Sequence, residues 1–277
     1  KGMAAETGKS GVRVAGSGGK NFLESAGRFV GYVILPVLLV TVWQLSVDWG
    51  YVKPILLPPP SEIARTFVDM MKSGELPEHL WVSLRRVLEG FALAAGAGLI
   101  LGVAIGLSTK LDRMTDLIFQ ITKPIPPISW IPMAILWFGI GEWSKVFIIF
   151  LGAFFPVLIN TVDGIRQTDP RFVELASVLE VSRKRLIMQV ILPGALPSIM
   201  TGLRVGLMVA WICVVAAELI AASSGVGFMI MNGRLSSQTD QVLLGMLTIG
   251  VMGKILDELL KYLEHRLISW RTVYKGD

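Results

Sequence analysis

Along the chain, long runs of apolar positions alternate with short polar intervals. A helix that crosses a bilayer needs about 20 mostly apolar residues, and six stretches approach that length. Residues 29–47 carry no charge, and residues 87–107 carry only Glu89. Residues 117–140 are apolar apart from Lys123, but Pro124, Pro126, Pro127 and Pro132 interrupt them. Residues 146–162 are uncharged, and residues 199–222 hold Arg204 and Glu218. Residues 242–260 are clean until Lys254, Asp257 and Glu258. The pattern predicts an all-α integral membrane protein of six transmembrane helices.

The polar intervals set the domain plan. Residues 1–28, rich in Gly, Ser and Lys, read as a disordered cytoplasmic tail. Residues 29–47 form the first anchor, 48–84 an extracytoplasmic segment, 85–265 the core and 266–277 a second cytoplasmic tail. Within the core, 164–193 form a long inside loop. In the outside segment, Leu57-Pro58-Pro59-Pro60 is stiff and extended. Ser61 is placed to cap a short helix through Met71 with Ile63, Phe67 and Met70 on one face. That helix either lies on the membrane surface or joins a docking surface for an outside partner.

Charge orients the plan. With the N-terminal tail inside, the inside segments hold fifteen Lys and Arg against seven outside. Basic residues concentrate on the cytoplasmic side of membrane proteins, so both termini are expected in the cytoplasm. Arg85 and Arg86 are the exceptions and are expected at a water interface. Composition agrees, with 53% apolar and 17% charged residues and a mean hydropathy of +0.63. Soluble domains average about 45–50% and about 25%. The net charge of +5 is then explained by the inside loops, and nucleic acid is not an expected partner. Cys213 is the one cysteine, and His79 and His265 lie far apart, which excludes a disulfide framework and a metal site of several histidines. GSGGK at 16–20 lacks the longer glycine frame and the Ser or Thr of a P-loop. The basic tail and the 19-residue run after it read as an uncleaved anchor rather than a signal peptide.

The inside loop carries the most information. Asp169-Pro170 starts a helix in which Phe172, Leu175, Ala176 and Leu179 recur at helical spacing. Ser182 can cap a second stretch with Leu186, Ile187, Val190 and Ile191 on its apolar side. Pro193 and Pro197 are expected to end that stretch and begin the next span. From the residues alone, this helix pair either rests on lipid headgroups, helped by Arg183, Lys184 and Arg185, or docks a partner.

Glu174-Leu175-Ala176, followed eighteen residues after Glu174 by Leu192-Pro193, resembles the EAA loop of permease subunits of ATP-binding cassette (ABC) importers. VSLRRVLEGFALAAGAGLILGVAIGL looks like the first core helix of that family, and KPIPPISWIPMAILWFGIG like its proline-broken segment. VILPGALPSIMTGLRVGLMVAWICVVAAELIAASSGVGFMI looks like the sulfonate, taurine and nitrate branch. The resemblance spans about Leu56 to Arg271. Leu175 departs from the first Ala of the motif, and Glu180 stands where the family has Gly. That Gly turns the chain at φ > 0, where a Cβ is costly. The turn is therefore expected to be absent, with a continuous helix, or redirected by Ser182 alone.

The resemblance implies a type I importer permease, not an enzyme, with no cofactor of its own. ATP and Mg would bind to two cytoplasmic ABC ATPase subunits, and a second copy of the chain would complete the pathway. An extracytoplasmic solute-binding protein would deliver the substrate, an alkanesulfonate, taurine or nitrate, in a bacterial inner membrane. Bicarbonate or another small organic solute is the alternative. Coupling to the ATPase would fall on Phe172, Glu174, Leu175, Ala176, Leu179, Glu180, Ser182, Arg183, Leu186 and Pro193, with Glu174 anchoring the contact through charge-assisted hydrogen bonds.

Charged residues inside a membrane need a reason. Lys254 is spaced to pair with Asp257 and Glu258, and Arg204 can snorkel to the inner interface. Glu218 is either a structural hydrogen-bonding residue or part of a gate or pathway. A half-helix starting near Pro132 would aim its N-terminal amides at the break, so Ser129, Trp130 and Pro132 are candidate contacts to an oxyanion in transit. An intramembrane enzyme lacks a reactive constellation here. An ATP-independent secondary transporter of a small anion would leave the EAA-like loop unexplained.

Overall fold

The computed structural model describes residues 34–268. The expected tail 1–28, the first five residues of the first expected span and the last nine residues of the chain lie outside that range. Among the described residues the secondary structure is helical, with no strand. The chain divides after Ser61 into two compact units.

The first unit contains α1 (Ile34–Asp48). It ends in a turn at Gly50, whose φ of 78° suits a residue without Cβ. The Gln44 side-chain oxygen accepts the Ser61 backbone N–H at 3.2 Å.

The second unit begins in α2 (Pro60–Ser73). Pro60 rather than Ser61 opens the helix, because the fixed φ of proline suits the first helical position. Ser61 thus sits in the first turn, not at the cap. Ile63 and Met70 are buried, while Phe67 is 46% exposed. Thr66 Oγ1 donates to Asp240 Oδ2 at 2.6 Å, which ties α2 to the start of α11 (Thr239–Leu267).

Helix α3 (Glu75–Gly106) extends twelve residues ahead of the expected span. Its extra turns bury Leu76, Ser83 and Arg86. The expected span 117–140 is instead several pieces. α4 (Thr109–Thr122) is capped by Ser108, whose hydroxyl accepts the Leu111 N–H. A break follows, then a 3-10 turn (Pro127–Trp130) and α5 (Ile131–Phe138). Each proline removes a backbone donor, so no single helix runs through. α6 (Glu142–Arg166) then leads to α7 (Pro170–Val178), α8 (Arg183–Leu186), α9 (Leu192–Ala221) and α10 (Val226–Leu235).

Pro193 and Pro197 do not end the stretch before them. Residues Arg183–Ala221 form one helix of 39 residues, which passes through a π-helical turn at Ile187–Ile191. The wider turn, with Leu192 N–H bonded to Ile187 O, accommodates a proline that lacks the next N–H. Among the described residues, three helices are long and apolar enough to cross a membrane: Glu75–Gly106, Glu142–Arg166 and Arg183–Ala221.

Small residues set how these helices pack. A Cβ on Gly90, Gly98, Gly102 or Gly106 of α3 would crowd Ile149, Val157, Thr161 or Ile165 of α6. The two sets advance together in steps of four or eight, so α3 and α6 run parallel with backbones in close approach. Gly152, Gly164, Gly202 and Gly206 pair α6 with α9 in the opposite sense, since Gly152 meets Cys213 and Gly164 meets Ser198. α6 lies between them, with Ile149, Ala153, Val157 and Leu158 almost fully enclosed.

Candidate functional sites in the second unit

Three arrangements of residues in the second unit are candidates for chemistry or recognition. The first is the α7–α8 pair. Asp169 caps α7 by accepting the Arg171 N–H at 2.9 Å, and Pro170 occupies the first helical position. Glu180 does turn the chain. Its φ is 52°, its N–H bonds to Ser177 O, and Val181 N–H reaches back to Ala176 O. This is a Schellman ending built on a residue with a Cβ, so neither a continuous helix nor a redirection by Ser182 alone describes it. Ser182 occupies the cap position of α8 without a side-chain hydrogen bond. Ala176 is buried, whereas Phe172, Leu175 and Leu179 are 55%, 54% and 64% exposed. Glu174 and Arg183 are also exposed, Leu186 and Pro193 partly so. An apolar face with a carboxylate beside it is thus left uncovered.

The second is a cavity of about 390 Å³ beside the broken helix. It lies between the end of α4, the break, the middle of α6 and the middle of α9. Trp130 lines it; Ser129 and Pro132 do not. The Ser129 N–H is spent on Pro126 O at 2.9 Å, which closes the 3-10 turn. A neighbouring cavity of about 190 Å³ lies between α4 and α6, toward Arg166, and includes Asp112, Asp116 and Asp163. Arg166 and Asp112 pair there at 2.7 Å. Lys123 lines both cavities.

The third is a buried polar knot. Glu218 is 1% exposed and Arg86 2%. Arg86 reaches Glu218 at 2.8 Å with one guanidinium nitrogen and holds Glu142 at 2.6 Å with the other two. Glu218 also accepts from Ser83 at 2.8 Å and from the Gly227 N–H at 2.9 Å. Ser83 accepts the Val226 N–H, and His79 Nδ1 accepts the Gly225 N–H. The knot therefore joins α3, α6, α9 and the turn into α10. Arg86 had been expected at a water interface. Its periodicity with Ser83, Gly90 and Ala94 is the signal that places it on the buried face, while Arg85, one position round, is exposed and pairs with Glu89. Arg204 pairs with Asp257 on α11. Lys254 pairs with Glu258, and Asp257 takes Lys261 at 2.7 Å as a second partner.

Residues 94–269 match the family of binding-protein-dependent transport system inner membrane components. The chain is 43% identical over 244 residues to a putative aliphatic sulfonates transport permease protein, SsuC, of Bacillus subtilis, covering 88% of each chain. It is 37% identical to the taurine transport system permease protein TauC of Escherichia coli, over 84% of this chain and 86% of that one. It is 31% identical to the bicarbonate transport system permease protein CmpB of Synechococcus elongatus, over 96% and 98%. Among solved structures, an amino acid ABC transporter with histidines shares the fold, with a TM-score of 0.61 at 16% identity over 72% of this chain and 98% of that one. Motif, fold and relatives agree, and the chain belongs to the family of binding-protein-dependent inner membrane components, the permease subunits of ABC importers.

Proposed function

We propose that the chain, paired with a second copy, forms the pathway for a small anion of the alkanesulfonate, taurine or nitrate kind, with bicarbonate as the alternative. Two separate cytoplasmic ATPases would drive it, and an extracytoplasmic solute-binding protein would supply it. The observation that carries this reading is the uncovered face of α7. Phe172, Leu175 and Leu179 remain exposed on α7 and its cap, just ahead of the turn at Glu180 that leads into the 39-residue helix Arg183–Ala221. A groove on an ATPase that accepts this face, with Glu174 as its polar anchor, would move α9 as a lever when two ATPases close.

The chain's topology follows from the packing directions. Parallel α3 and α6 need a return crossing between them, which the broken α4–α5 segment supplies. With α1, α9 and α11 this would make six crossings, and the excess of Lys and Arg in the intervals read as inside supports both termini in the cytoplasm. On that plan Glu174 would lie on the cytoplasmic side.

The test is purification from the native membrane in mild detergent, followed by uptake into proteoliposomes. A stoichiometric ATP-binding subunit should accompany the chain. Glu174→Ala should weaken that association and reduce ATP-dependent uptake by about tenfold or more. A chain that purifies alone and moves the anion without ATP would overturn the reading.

A further inference from the structure

The 390 Å³ cavity has an uneven chemistry. Its walls are mainly apolar, with Ile125, Leu151, Phe155, Ile159, Val205 and Val209 among them. No carboxylate lines it, although three aspartates line the neighbouring 190 Å³ cavity. Two polar side chains on its wall are already engaged. Thr122 Oγ1 donates to Ile118 O, and Asn160 Nδ2 donates to Pro156 O. The Lys123 ammonium and the Trp130 indole N–H make no side-chain hydrogen bond to any described residue. The other membrane-depth charges described above, Arg86, Arg204, Glu218, Lys254, Asp257 and Glu258, all have ionic partners.

Lys123 is exposed in the single chain, on the wall of this cavity, and no carboxylate among the lining residues is there to pair with it. Two residues with unused donors on the wall of an apolar space without carboxylates favour an anion over a cation. The apolar walls favour an anion that carries a hydrocarbon part, because a compact anion would lose water against them without compensation. The cavity lies at the middle of α6 and of α9, on the route a transported solute would take. Lys123 also borders the aspartate-lined cavity, so it stands at the step between an anion-favouring and an anion-repelling region.

We propose that Lys123 and Trp130 form an anion subsite in which the aliphatic chain of the solute packs on Ile125, Phe155, Ile159, Val205 and Val209. The solute is then an aliphatic monoanion, preferred over nitrate or bicarbonate. This rests on the reading of the chain as a permease for small anions and narrows it.

The test is saturable binding to the purified complex in phosphatidylcholine nanodiscs, without ATP. The probes are ethanesulfonate, butanesulfonate, hexanesulfonate, nitrate, bicarbonate and hexylammonium. Affinity should rise by up to roughly fourfold per methylene along the sulfonates, and nitrate, bicarbonate and hexylammonium should bind far more weakly. Lys123→Gln should weaken hexanesulfonate by about tenfold or more, Lys123→Arg should restore most of it, and Trp130→Phe should cost a smaller factor. Equal binding of hexanesulfonate by Lys123→Gln, or nitrate or hexylammonium binding as well as hexanesulfonate, would overturn the subsite. If Lys123→Gln fails to fold, the ranking of probes on the unaltered complex still decides. The outcome is separable from the transport reading. ATP-dependent uptake with no effect of Lys123→Gln rejects the subsite alone, and sulfonate binding by a chain with no ATPase partner rejects the coupling alone.

Discussion

At Glu180 and Ser237 the backbone enters the left-handed region, with φ of 52° and 58°. Both residues close a helix by the same pair of bonds. Gln238 N–H reaches Gly233 O as Val181 N–H reaches Ala176 O. A Cβ in that conformation costs roughly 1–2 kcal/mol, so Glu180→Gly should raise the stability of the α7–α8 turn by about 1 kcal/mol. Slower amide hydrogen exchange at Glu180 and Val181 is the readout, and Glu180→Val should show the reverse. The Arg86 knot obeys a different rule. Removing one partner of a buried ion pair leaves a charge uncompensated, at about 3–5 kcal/mol. Arg86→Ala should therefore lower the unfolding midpoint severely, while the double change Arg86→Met, Glu218→Gln should recover much of the loss. Equal damage from both would show that the charge is not what matters there.

Between elements, the glycines of α3 decide how near α6 can come. A Cβ on Gly102 would stand 2.7 Å from the Thr161 Cβ, whereas one on Gly96 would meet nothing within 4 Å. Gly102→Ala should cost about 1–3 kcal/mol through overpacking. Gly96→Ala should be neutral or stabilise by up to about 1 kcal/mol, since alanine is the better helix former. Thermal unfolding in one lipid or detergent condition separates the two. Glycines in steps of four were visible in the sequence. Which of them faced a neighbour was not, because helical periodicity fixes relative positions on one helix and says nothing about the partner's register.

For the molecule as a whole, the proposed topology would put α7 and the α10–α11 turn on opposite sides of the membrane. Cys213 is buried, so Cys213→Ala gives a background for single exposed cysteines. Ser177→Cys should react with a membrane-impermeant maleimide only from the cytoplasmic side, and Ser237→Cys only from the outer side. Labelling of both from one side would refute the topology. The helix Arg183–Ala221 runs from the turn after α7 to the Glu218 knot, so the exposed apolar face of α7 and the buried polar knot lie near its two ends.

Several features followed from the sequence alone. The run lengths and low charge gave a helical membrane chain, because a bilayer tolerates only long apolar helices or closed barrels. The Asp169 cap, the proline break after α4 and the EAA-like loop were local signals, so they were legible without a fold. The π-helical turn that carries the chain through Pro193 was not, since the proline pattern alone predicts a stop. Neither were two partners of Glu218, Arg86 and Ser83, which stand 132 and 135 residues away, nor the hold of Arg86 on Glu142 of α6. Arg86 and Arg85 are neighbours of identical chemistry, yet one is enclosed and the other is exposed. Sequence determined the class of protein and particular local signals, the Asp169 cap and the proline break after α4, because those depend on hydropathy and backbone chemistry within a few residues. Tertiary structure decided which charges meet and which donors stay free, because pairing depends on helix direction and register across the whole unit.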